Sequence, residues 1–201
     1  MIEIYLDKLQ DLLVNPKDRK LELSLKAFPS GVVVENVRRC AVGDFASIQA
    51  LIDKGESNKS VSATKMNSKS SRGHTIVTLL ITKKTSMGEA KSSTTATINI
   101  VDLAGSEKST SAGTTGDRLA EGNAINKSLT ALGNVIKALA DKSTGKAKKG
   151  AVIPYRDSVL TLLLRDALGG NSSTMMVCAI RPGDLYYEES LSTLKYADRA
   201  K

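Results

Sequence analysis

Apolar and polar side chains take turns in MIEIY, residues 1–5, the period of a half-buried strand. VVVENV at 32–37 and HTIVTLLITKK at 74–84 predict further strands, the second long enough to pair in a hairpin. A loop, TSMGEAKSS at 85–93, then leads into a strand over TTATINIVDL, 94–103. TMMVCAI, 174–180, is an unbroken apolar run and predicts a buried strand. Elsewhere the period lengthens. GDFASIQALIDKG, 43–55, predicts a helix ended by Gly55. In 117–141, Ile125, Leu129, Leu132, Ile136 and Leu139 are spaced 4, 3, 4, 3 and form one apolar stripe, with Lys127 off it and facing out. DSVLTLLLRDAL, 157–168, predicts a helix capped by Asp157 and ended by Gly169–Gly170, and EESLSTLKYADRAK, 188–201, a terminal helix. Strands and helices alternate without an internal repeat, so the expected class is α/β with helices covering a mixed sheet.

Composition narrows the setting. At 201 residues, 41% hydrophobic and 25% charged, the chain is long enough to bury a real core. Aromatics are 3% with no Trp, so that core rests on Leu, Ile, Val and Ala, and a base-stacking platform is poorly supplied. The longest apolar runs are too short to span a bilayer, and the N-terminus has no signal-peptide pattern, so a cytoplasmic location is expected. Cys40 and Cys178 form no metal or redox motif and read as buried thiols in a reducing compartment. A net charge of +8 implies an anionic partner: nucleic acid, an anionic membrane surface or an acidic protein.

Two stretches carry candidate chemistry. INIVDLAGSE, 98–107, ends a strand in Asp102, with Gly105 and Glu107 close behind. D-x-x-G alone reads as a capped strand end. It also reads as a carboxylate on Mg²⁺-bound water with a bare N–H offered to a γ-phosphate. NSKSSRGH, 67–74, is a polar loop, or a set of hydroxyls for Mg²⁺ and phosphate with Arg72 free to pair with Glu107. Such a bridge would latch the two loops only when both close on nucleotide.

NSKSSRGH together with VDLAGSE resembles the two nucleotide switches of the kinesin motor domain. The resemblance extends through EIYLDKLQDLL, NKSVSATKMN, INKSLTALGNVIKALA, IPYRDSVLTLLLRDALGGNSSTMMVCAI and ESLSTLKYADRAK, in order, over essentially all of residues 1–201. It implies a three-layer motor fold of the P-loop NTPase type with a mixed central sheet, the cofactors ATP and Mg²⁺, and microtubules as partner. It implies no nucleic-acid or membrane-inserted role, and a parent made dimeric by a coiled-coil stalk. By the same resemblance Ser70 and Ser71 contact Mg²⁺ and phosphate, Asn67 supports their loop, and Asp102 is the metal-linked carboxylate. Gly105 senses the γ-phosphate, and Glu107, latched to Arg72, positions the attacking water. The helix 117–141 becomes the relay, and Lys108, Lys127, Tyr155 and Arg156 lie on the microtubule face.

Departures from the family pattern matter as much. A P-loop reads G-x-x-x-x-G-K-[ST], but around the Gly-Lys pair of STGKAK, 143–148, Ala140 and Ala147 occupy the first-glycine and hydroxyl positions. The resemblance therefore implies the C-terminal portion of a motor head, with the first strands and P-loop missing, poor ATP binding by itself, and unpaired sheet edges. Gly73 replaces an expected Ser and loosens its loop, and Lys59 replaces an Arg and forfeits a bidentate contact. Val159, Leu162 and Asn123 stand where basic residues are usual. Lys142, Lys146, Lys148 and Lys149, in KSTGKAKKG, read either as a solvated linker or as a basic loop for acidic tubulin tails. A microtubule motor segment thus leads, with a non-catalytic microtubule-binding module as alternative. A GTPase lacks its N-K-x-D, and a nucleic-acid binder rests on charge alone.

Overall fold

The computed structural model describes residues 1–29, 31–64, 73–87, 90–105 and 117–200. They divide into two compact units. Met1–Tyr5, Leu9–Leu23 and Asn36–Ala104 form the first, and Leu6–Lys8, Ser24–Glu35 and the chain from Gly105 form the second.

In the first unit a four-stranded sheet is ordered β2-β1-β5-β6, from strands β1 (Ile2–Tyr5), β2 (Lys8–Asp11), β5 (His74–Met87) and β6 (Ala90–Asp102). β1 runs antiparallel to β5, and β5 to β6, so the registers described here are antiparallel rather than mixed. The β5–β6 pairing continues to Met87↔Ala90 and shortens the loop expected over 85–93. The Ser and Thr residues there are suited to a pleated, solvated ribbon. Ile2, Ile4, Leu12, Leu13, Ile76 and Ala104 are buried.

Helix α1 (Phe45–Thr64) begins at Asp44, whose carboxylate accepts from the Ser47 N–H at 2.8 Å. It runs straight through Gly55 instead of stopping there. A Cβ at residue 55 would stand 2.2 Å from Met1 Sδ, so this glycine gives the chain start room to pack against the helix. The Asn58 side chain completes the attachment by donating to the Leu12 carbonyl at 2.7 Å.

The second unit holds a two-stranded antiparallel sheet, β3 (Ser24–Phe28) with β4 (Gly31–Glu35), and four helices among the described residues. Helix α2 (Asp117–Ser143) matches its periodic stretch, but its buried face centres on Ala131, Leu132 and Val135. Leu129, Ile136 and Leu139 are half-buried at the edge of that face.

The helix expected over 157–168 is two: α3 (Val159–Leu163) and α4 (Arg165–Gly169). Ser158, not Asp157, caps α3, closing a capping box with Thr161. Leu164 breaks the spiral between them at ψ 5°. Asp7, on a turn whose Leu6 and Asp7 take φ 51° and 60°, accepts from the Val159 N–H at 2.9 Å. Asp166 accepts from the Val32 N–H at 2.9 Å and ties α4 to β4. Helix α5 (Tyr187–Ala200) follows.

The strand expected at 174–180 is absent, and Met175 and Val177 are 87% and 86% exposed. Among the described residues no strand pairs with this segment, and without a ladder an extended chain keeps its backbone groups in water. Cys40 and Cys178 are free and half-buried rather than buried.

Candidate nucleotide-switch end of the first sheet

Register decides what meets what. The last rung of the β5–β6 ladder pairs Thr75 with Asp102, so the start of one strand faces the end of the other. The residues that follow NSKSSR and the residues of VDLAG therefore leave the sheet at the same end. Asp102 is exposed there, whereas Ala104 is buried and Gly105 half-buried.

Around this end four polar side chains are buried: Glu3, Lys59, His74 and Thr75. The Lys59 ammonium donates to Thr75 Oγ1 at 2.8 Å. The replacement of a usual Arg thus leaves no solvated stub; the shorter ammonium is buried on a hydroxyl. The Ala104 N–H donates to His74 Nδ1 at 3.0 Å. Burial raises the Glu3 carboxyl above its ordinary pKa, and the charges of Lys59 and Arg19 oppose that rise. Gly73 is buried, and a Cβ there would stand 2.3 Å from Glu3 Oε1; the loop it was expected to loosen lies outside the described residues.

Asn67, Ser70, Ser71 and Arg72, and likewise Glu107 and Lys108, lie outside the described residues. What the structure brings together is their flanks. Sequence reasoning missed these buried side chains, although the position of the chain's single histidine at the border of loop and strand was a usable signal.

The basic residues fall in the second unit. Lys127 is exposed on α2, and Lys142, Lys146, Lys148 and Lys149 are exposed at and after its C-terminus. That loop is pinned by its backbone, with the Ala147 N–H on the Asp141 carbonyl and the Ala151 N–H on the Lys148 carbonyl, each at 2.9 Å. Cations at a helix C-terminus also complement its dipole. Arg156 is exposed, while Tyr155 is half-buried with its hydroxyl against Gly169, and burial raises its pKa. Among the described residues no group of His, Cys, Asp and Glu could hold a metal by itself. A Mg²⁺ bound through one carboxylate, hydroxyls and phosphate needs no such group. No described helix is long and apolar enough to cross a membrane.

The kinesin motor domain family profile matches residues 1–201. Kinesin-like protein KIF1A of Rattus norvegicus is 49% identical over 208 residues, covering all of this chain and 12% of that protein. Kinesin-like protein KIF1B of Homo sapiens is 50% identical, again over the whole chain and 11% of its own length. The structure of a KIF14 dimer with AMP-PNP in complex with a microtubule aligns at a TM-score of 0.85 and 42% identity, covering 99% of this chain and 56% of that one. The chain thus spans about half of a solved motor head and a small part of the curated relatives. Its fold is the mixed α/β fold of those heads, and the chain belongs to the kinesin motor domain family.

Proposed function

We propose that this chain is the part of a motor head that couples ATP binding and hydrolysis to microtubule attachment and movement. The observation that carries the reading is the Thr75↔Asp102 rung, which puts the exits of both switch motifs side by side. Asp102 and Ser71 would hold Mg²⁺, largely through water, with Ser70 contacting phosphate, Asn67 supporting that loop and Gly105 reading the γ-phosphate. Bound Mg²⁺ would neutralise phosphate charge. Arg72 and Glu107 would close the site and orient water. Lys108, Lys127, Tyr155, Arg156 and the lysines of 142–149 would face the acidic track, as the microtubule-bound KIF14 relative makes reasonable.

A second reading, a non-catalytic microtubule-binding module, rests on the exposed Lys142, Lys146, Lys148 and Lys149, whose charge suits an acidic partner whether or not nucleotide binds. Titration with Mg·ATP and co-sedimentation with microtubules separate the two. Saturable micromolar nucleotide binding that Asp102→Ala weakens supports the motor reading. Microtubule binding without nucleotide binding supports the module, and failure of both rejects each.

A further inference from the structure

The β5–β6 ladder ends at Thr75↔Asp102, and among the described residues beyond Asp102 none carries strand pairing. One further hydrogen bond nonetheless crosses the gap. His74, which pairs with Ile4 of β1 through its backbone, accepts the Ala104 N–H on its side-chain Nδ1 at 3.0 Å. Both partners are deeply buried, at 2% and 5% exposure. A backbone N–H only donates, so Nδ1 is the acceptor and the ring proton sits on Nε2.

We infer that His74 is a positioning residue whose imidazole supplies the rung after the last rung. It fixes the Leu103–Ala104 peptide and with it the direction in which the chain enters Gly105. Without that bond, rotation about Leu103 would let Gly105 swing, and a buried amide would lose its partner. The choice of side chain follows from the surroundings. A Ser hydroxyl is too short to span the gap, and an Asp would bury a carboxylate charge at a position only 2% exposed. A neutral imidazole offers an acceptor without a charge. His74 thereby links the segment that follows NSKSSR to the segment that contains Gly105. That this link serves phosphate sensing rests on the proposed function; the anchoring of Ala104 does not.

The chain has a single histidine, so ¹⁵N labelling of histidine reports His74 alone. In the wild-type chain we expect a through-hydrogen-bond coupling between the Ala104 amide nitrogen and Nδ1. Amide exchange at Ala104 should accelerate about tenfold in His74→Leu, the consequence of one lost hydrogen bond. His74→Asn carries an acceptor at the δ position and should restore protection to within about threefold. Exchange at Ile76 and Val101 monitors the fold, and if His74→Leu unfolds, the wild-type coupling decides. A protonated Nδ1 with no coupling, unchanged Ala104 protection in His74→Leu, or His74→Asn behaving like His74→Leu would each overturn the inference. Nucleotide takes no part in these measurements. A chain that binds no Mg·ATP therefore overturns the motor reading alone.

Discussion

Glu3 and Lys59 are both buried in the first unit, and the Lys59 charge opposes the rise that burial imposes on the Glu3 pKa. Burial raises the Glu3 pKa above its ordinary 4.5, so the folded chain holds that proton more tightly than the unfolded chain. The stability this gives is present below the unfolded pKa and is lost as pH rises through the folded one. Glu3→Gln removes the titration. Its stability relative to wild type should therefore climb as pH rises above about 4, read from urea midpoints; a pH-independent difference rejects the assignment. Lys59→Met leaves the carboxylate without its nearest cation and Thr75 without its donor, at a cost of about 3 kcal/mol at neutral pH. At this scale the sequence was only partly legible. The end of β6 at Asp102 could be found because an alternating run stops on it. Lys59 could not, since a lysine on a helix is ordinarily solvated and only the packing of α1 on the sheet buries it.

Elements were legible where their period was long. The stripe of α2 and the long run of β5 declared themselves, because each needs many residues to agree. Short elements were caught unevenly: β1 and β4 stood out by their apolar residues, whereas β2 and β3, of four and five residues, carry too little pattern to separate from chance. Boundaries failed where a local contact overrode a propensity, as at Gly55, kept for Met1, and at Leu164, which splits one apolar stretch into α3 and α4. The capping box of α3 carries a testable share of its stability. Ser158→Ala removes the acceptor of the Thr161 N–H at a buried site and should cost about 1 to 2 kcal/mol by urea denaturation. Asp157→Ala, at the position expected to cap, should change stability by less than about 0.5 kcal/mol.

For the whole molecule, salt should push two associations in opposite directions. One face of the β5–β6 ribbon carries Val77 opposite Ile100 and Leu79 opposite Ile98, because directly paired residues share a face. Ile98 and Ile100 are 46% and 57% exposed, and Met175 and Val177 are more exposed still. Exposed apolar side chains of this kind drive chains together, while a net charge of +8 holds them apart. Raising ionic strength shortens the reach of that repulsion and leaves the apolar attraction intact. Sedimentation velocity at about 50 mM and about 300 mM salt should therefore show self-association growing with salt. Binding to an acidic track through Lys142, Lys146, Lys148 and Lys149 should fall over the same range, because that attraction is what screening removes. Ile98→Lys with Ile100→Lys breaks the apolar row and should suppress self-association at both salts while leaving co-sedimentation with microtubules. Replacing the four lysines by Gln should flatten the salt dependence of co-sedimentation and leave the ribbon sticky. If the isoleucine variant instead lost the track, or if both associations weakened together with salt, the separation of an apolar ribbon from a basic loop would be wrong.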